Sequence, residues 1–309
     1  RVKDMATSEL PNDEFVLPKQ KTIWDNILRM LRRQPLGSAG AVVIILMAFA
    51  AVFAESIAPF DPELENFEYM LSPPGTVHED TGKVFYFGTD SFGRDQLSRM
   101  IYGARTALLV GFTASFCGAF LGLILGVASA YFGGYIDLVL QRVCDVFMAF
   151  PLIIMALAIV SIFGTGVEMV IIAITIPFIP NCARVVRSSA LALKGLPYID
   201  AARSVGYGHV RIIMRHMVPN VMAPFLIMLT AFVGQAILTE ASLSYLGMGV
   251  QEPTAAWGLM LQGGAEEYAE SAPWVPIWPG VAITLAVFGF NLFGDAVRDV
   301  LDPKLRSQT

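Results

Sequence analysis

An all-α, polytopic membrane protein with six transmembrane helices is the fold class that this sequence predicts, on three observations. Of its 309 residues 55% are hydrophobic and only 15% charged, with a mean hydropathy of +0.60, whereas a soluble chain carries about 25% charged residues. A spanning helix needs roughly 20 predominantly apolar residues. Six such stretches are present: Leu36–Ala58, Thr106–Phe132, Leu138–Phe163, Val167–Val186, Val221–Tyr245 and Val275–Ala296. Between them the bases divide into 17 on one side and 4 on the other, the asymmetry that orients a multi-pass protein.

In chain order, residues 1–35 hold seven bases and read as a cytoplasmic segment. No small-residue cleavage pattern follows the first stretch, so it reads as a retained anchor rather than a signal peptide, and Arg1 in place of Met suggests a true start further upstream. Residues 36–105 form the first span with an external segment, 106–298 a core of five spans with a cytoplasmic loop at 188–220, and 299–309 a cytoplasmic tail. The inner bases after the first segment are Arg142, then Arg184, Arg187, Lys194, Arg203, Arg211 and Arg215, then Arg298, Lys304 and Arg306. The outer ones are Lys83, Arg94, Arg99 and Arg105, while Gly247–Trp274 has no base and carries Glu252, Glu266, Glu267 and Glu270. Both termini are therefore expected in the cytoplasm. The two long segments Pro59–Arg105 and Gly247–Trp274 are expected outside, where they could cap a pore or meet an external partner. Pro151 and Pro177 would break helical hydrogen bonding within their spans and could kink them.

Several function classes are excluded. A net charge of −5 without a basic domain argues against nucleic acid. Cys117, Cys144 and Cys182 make no disulfide framework, and no cysteine or histidine has the close neighbours that a metal site needs. The phosphate-cradling pattern Gly-x-x-x-x-Gly-Lys-Ser/Thr is missing: the one Gly-Lys pair, Gly82-Lys83, precedes Val84. With no Gly-x-Ser-x-Gly and no paired acids within a span, an intramembrane enzyme has little support.

The most informative stretch is Pro197-Tyr-Ile-Asp-Ala-Ala-Arg-Ser-Val-Gly206-Tyr-Gly-His-Val-Arg-Ile-Ile-Met-Arg-His216-Met-Val-Pro219-Asn220. Pro197 suits a first helical turn, Asp200 the positive helix end, and Tyr198, Ala201, Ala202 and Val205 share one small, apolar face. Gly206 and Gly208 permit a bend, and Pro219 can open the next span. A short helix, a bend and a second short helix follow. Small side chains on an exposed helix let another protein's backbone come close.

Asp200-Ala201-Ala202, Gly206, His216 and Pro219, at these spacings, resemble the "EAA" loop by which ABC importer permeases dock on their ATPase. Asp200 stands for the usual Glu, and His216 and Val218 for the usual Ile and Leu. The Arg215-His216-x-x-Pro219-Asn220 ending looks like the dipeptide, oligopeptide and nickel branch. So do Phe87-Gly-Thr-Asp-Ser-Phe-Gly-Arg-Asp-Gln-Leu-Ser-Arg99, Glu240-Ala-Ser-Leu-Ser-Tyr-Leu-Gly247, Trp257-Gly258 and the run from Asn291 to Pro303. From about Arg29 onward the chain resembles the C-type permease subunit.

The resemblance implies a type I ABC importer fold in a bacterial inner membrane and a subunit that forms half of a translocation path. It implies a homologous second permease, two ATPase subunits holding ATP and Mg, and an external solute-binding protein, with no cofactor and no catalysis in this chain. Di- or oligopeptides are the favoured solutes; nickel chelates, glutathione or opines are alternatives. Coupling is expected at Asp200, Ala201, Ala202, Gly206, Arg211, Arg215, His216 and Pro219. Asp90, Arg94, Asp95, Arg99 and Trp257 are candidates for contact with the external partner, although Asp95 and Arg99, four residues apart, also fit an ordinary surface pair. Asp295, Arg298, Asp299 and Asp302 fit ion pairs closing the last helix. Glu240 is an ionisable group within a span, which is costly; it is expected to line the translocation path, to face the interface with the partner permease or to hydrogen-bond a neighbouring helix, with Gln235 and Thr239 as companions. Ion-coupled secondary transport through Glu240 is a remoter reading.

Overall fold

The computed structural model describes residues 34–301, so residues 1–33 of the N-terminal segment and 302–309 of the tail, Asp302 included, lie outside the described residues. Helix α1 (Pro35–Val52) begins on its proline and gives way to a short turn, Ala54–Ile57. The segment that follows, expected outside, contains two two-residue strands, β1 (Thr76–Val77) and β2 (Val84–Phe85), paired antiparallel with Thr76 opposite Phe85.

Helix α2 (Gln96–Phe132) starts at Gln96 rather than at the expected Thr106. Asp95 caps it, its carboxylate accepting from the Ser98 amide at 2.8 Å and from the Ser98 hydroxyl at 2.6 Å. Hydropathy stops short of this first turn because Gln96 and Arg99 look unfit for lipid, yet both are buried in protein.

The third stretch is two helices, α3 (Gly134–Met148) and α4 (Leu152–Phe163), bent by 88° at the break. Pro151 has no amide to continue the ladder and disfavours helical backbone in Phe150, so a break forms where a kink was expected. Pro177 behaves differently: α5 (Val167–Lys194) runs on through Pro177 and Pro180, and the Asn181 side chain donates to the Pro177 carbonyl at 3.0 Å. Beyond residues 195–221 lie α8 (Met222–Tyr245), α9 (Trp257–Glu267) and α10 (Trp274–Leu301). Among the described residues five helices are long and apolar enough to cross a membrane, and the α3–α4 pair makes six if it counts as one bent span.

Packing explains the order. Gly118, Gly122 and Gly126 form a ridge along α2 against α5: a Cβ on Gly122 would come within 2.5 Å of the Cys182 Cβ, and one on Gly118 within 2.6 Å of the Phe178 Cβ. Small residues four apart let two helices touch backbone to backbone, the usual route to tight packing in lipid. One core joins α2, α4, α5 and α8 with the cytoplasmic segment, through Val110, Val160, Phe178, Ile212 and Phe232. A second joins α1, α2, α8, α9 and α10 through Met47, Ile237, Trp257 and Phe290. At the helix ends Asp299 accepts from Gln34 at 3.1 Å, which ties α10 to the start of α1.

Candidate coupling and translocation site

The segment between α5 and α8, expected in the cytoplasm, consists of α6 (Pro197–Ser204), α7 (His209–Ile212), a wide turn over Ile213–Met217 and a tight one over Val218–Val221. Gly206 ends α6 with φ 84°. Its amide donates to the Arg203 carbonyl at 2.9 Å and the Tyr207 amide to the Ala202 carbonyl at 3.1 Å. These crossed bonds close a helix end around a left-handed residue and cap its last carbonyls. The spacing from Ala202 to Gly206 is therefore a rule of local geometry: the glycine stands where only a residue free to take positive φ fits.

The expected small face is split. Ile199 and Ala202 are buried with Ile212 and Met217, while Tyr198, Ala201 and Val205 point outward. Ile199 is the larger apolar group, so its side of α6 turns to the bundle. Asp200, Arg211, Arg215 and Pro219 are also exposed, and Asp200 pairs with Arg203 at 3.4 Å. The Arg211 guanidinium lies 4.1 Å from the Tyr207 ring centre, and His216 stacks on Tyr207 at 6.1 Å. Val210, Met214 and Arg215 border a concavity of about 820 Å³. Toward the bundle the Tyr131 hydroxyl meets His209 Nδ1 at 2.7 Å, with the Arg203 guanidinium 5.5 Å from the Tyr131 ring centre.

Within α8, Gln235 is exposed on the chain, whereas Thr239 and Glu240 are buried. Glu240, only 2% exposed, accepts from the Ser244 hydroxyl at 2.7 Å, and Ser244 in turn accepts from the Val250 amide at 3.1 Å. The carboxyl thus sits inside this chain and bonds its own helix, neither open to a path nor bonded to a neighbouring helix. Thr239 donates to the Gln235 carbonyl at 2.8 Å.

Asp90, Arg94, Asp95, Arg99 and Trp257 are all buried. Arg94 forks onto Glu252 at 2.6 and 3.1 Å and donates to Asp90 at 2.7 Å. Arg99 reaches Glu252 at 3.4 Å and Asp90 at 3.6 Å. The expected surface pair of Asp95 and Arg99 gives way to this cluster, since Asp95 is occupied as a helix cap. Trp257 donates its indole N–H to the Met100 carbonyl at 2.9 Å. These side chains join the two external segments to each other, leaving little of themselves for an outside partner. Burial pushes the Asp95 carboxyl up from its ordinary value against the Ser98 hydrogen bonds. Burial acts likewise on Glu252, but Arg94 and Arg99 together hold it below the ordinary range. Sequence reasoning noted Glu252 only as an acid and passed over Tyr131 and His209; spacing carries no signal for pairs so far apart in the chain.

A bundle of five or six membrane-length helices with a capped, exposed segment between two of them is the architecture of a polytopic membrane protein, and comparison with known proteins defines its class. The chain belongs to the family described as binding-protein-dependent transport system inner membrane component, whose model matches residues 118–307; residues 22–74 match the N-terminal transmembrane domain of oligopeptide transport permease C. A peptide transport system permease protein of Brucella suis is 42% identical over 278 residues, covering 90% of each chain. The glutathione transport system permease protein GsiD of Escherichia coli is 41% identical over 295 residues, covering 94% of each. An inward-facing MetNI methionine ABC transporter structure shares the fold, with a TM-score of 0.53 and 19% identity over 66% of this chain and 96% of that one. The chain is an ABC importer permease of the peptide and glutathione type.

Proposed function

We propose that this chain forms half of a solute path in a bacterial inner membrane and docks an ATPase subunit through residues 197–219, beside a homologous second permease and beneath an external binding protein. The observation that carries the reading is the uncovered face of the cytoplasmic segment. Val205 is 74% exposed, and Val210 and Met214, 75% and 61% exposed, line a concavity edged by Arg211 and Arg215. Apolar groups rimmed by bases on one short element mark a protein interface. The excess of bases supports a cytoplasmic side for this segment and for both termini. Gln235, a polar side chain on the open face of a span, fits a wet path or a permease interface rather than lipid. The solutes proposed are short peptides, with the tripeptide glutathione in the same class. The test is co-purification of the cognate ATPase with the permease pair: Val210→Asp with Met214→Asp should abolish it while leaving the membrane protein in place. Retention of the ATPase by that variant refutes docking through this face.

A further inference from the structure

Helix α2 differs from its neighbours. Among the described residues it is the longest helix, 37 residues, or about 55 Å at roughly 1.5 Å per residue, and its sequence has no proline. Several other routes across the bundle are interrupted: α3–α4 is broken by 88°, α5 contains Pro177 and Pro180, and α10 contains Pro279, while the unbroken α1 and α8 are shorter, at 18 and 24 residues. Proline removes a ladder hydrogen bond and lets a helix flex there. An unbroken helix passes on displacement as a unit.

Both ends of α2 are tied by polar groups to segments that lie far off in sequence. At the inner end, Tyr131 is buried and its hydroxyl meets His209 at 2.7 Å, while Arg203 lies over its ring. Both partners belong to the segment proposed to meet the ATPase. At the outer end, Arg99 in the first turn and Arg94 just before it hold Glu252, which belongs to the external segment between α8 and α9. Between the ends, the glycine ridge lays α2 directly against α5, with Phe178 seated on Gly118 and the Cys182 thiol donating to the Ala119 carbonyl at 3.3 Å.

We infer that α2 is the rod that carries movement between the ATPase-facing segment and the external mouth, with Tyr131 its inner attachment and the Arg99–Glu252 contact its outer one. The inference rests on the docking reading above. Tyr131 and Glu252 are positioning residues here: neither needs to touch solute or nucleotide.

The experiment is a double-variant cycle on the reconstituted complex of this chain with its cognate permease, ATPases and binding protein, with trialanine and glutathione both supplied. The readout is ATPase activity with binding protein divided by activity without it. Residues at opposite ends of a helix this long, with no shared partner, should have independent effects unless one moving element joins them. The rod predicts that Tyr131→Phe and Glu252→Gln each lower the ratio at least threefold, and that the double variant is no worse than the weaker single one. Asp145→Asn, which breaks an α3–α5 pair with Arg184 off the rod, should leave the ratio unchanged. If Glu252→Gln does not assemble, Arg99→Lys serves as the outer variant. Wild-type ratios in the single variants, or losses that multiply in the double one, overturn the rod. A wild-type complex that fails to retain its ATPase, or that shows no stimulation, overturns the docking reading and the rod with it.

Discussion

Replacing Gly206 separates backbone strain from side-chain bulk. The residue has φ 84°, and a Cβ built there meets nothing within 4 Å, so a substitution clashes with nothing in this chain. The cost is conformational. Left-handed backbone costs an ordinary L-residue roughly 1–2 kcal/mol, asparagine less, and a β-branched residue most. A penalty of that size lowers the population of the closed turn about 5- to 30-fold. If the ATPase docks only on the closed turn, its apparent affinity falls by the same factor. Expected affinities therefore run Gly206 above Asn, Asn above Ala, and Ala above Val, with Gly206→Val at or beyond the 30-fold end. The assay is the ATPase concentration giving half-maximal association with the purified permease pair. Bulk against the partner would instead favour Ala over Asn, so that order, or wild-type affinity in Gly206→Val, refutes the argument.

Single cysteines at Thr81 and Glu267 should react with an impermeant thiol reagent on intact cells and one at Ser204 should not; labelling at Ser204 alone inverts the orientation. Glu240→Gln should behave like wild type, whereas Glu240→Leu, which takes a partner from Ser244, should lose roughly 1–3 kcal/mol of stability with uptake per assembled complex intact. Gln235→Leu should accumulate normally and transport poorly, and normal transport removes it from the path. Because Glu252 has its folded-state pKa lowered, its contribution to stability is present above the ordinary carboxylate range and lost as pH falls through the folded value. Thermal melts between pH 6 and 3 should therefore show a steeper acid loss in wild type than in Glu252→Gln, and parallel curves contradict the assignment.

Six crossings were legible in the sequence because lipid imposes a length and a hydropathy that soluble folds do not. So was the α6 turn, whose glycine spacing follows from capping geometry alone. The first turn of α2 was not, since Arg99 reads as a surface charge until Glu252 is found beside it. Glu240 was singled out rightly as a costly residue, but its partner Ser244 lies one turn away on the same helix, where a neighbouring helix or a path was expected. The face of α6 was misjudged for a related reason: periodicity groups Tyr198 with Ala202, and only the bundle decides that Ile199 goes in.

The break between α3 and α4 bears on how the chain enters the bilayer in the first place. Its halves have 15 and 12 residues, each short of the roughly 20 that a stable crossing needs, and α3 carries Asp137 and Asp145 besides. Neither half can partition into lipid alone as it leaves the ribosome. Both acids meet bases of α5, Arg187 on Asp137 at 2.5 Å and Arg184 on Asp145, although Asp145 is shared with Arg142 of α3 at 3.4 Å. Insertion of this region should therefore be cooperative, with the α3–α4 pair entering the bilayer together with α5, whose Arg187 holds Asp137, rather than ahead of it.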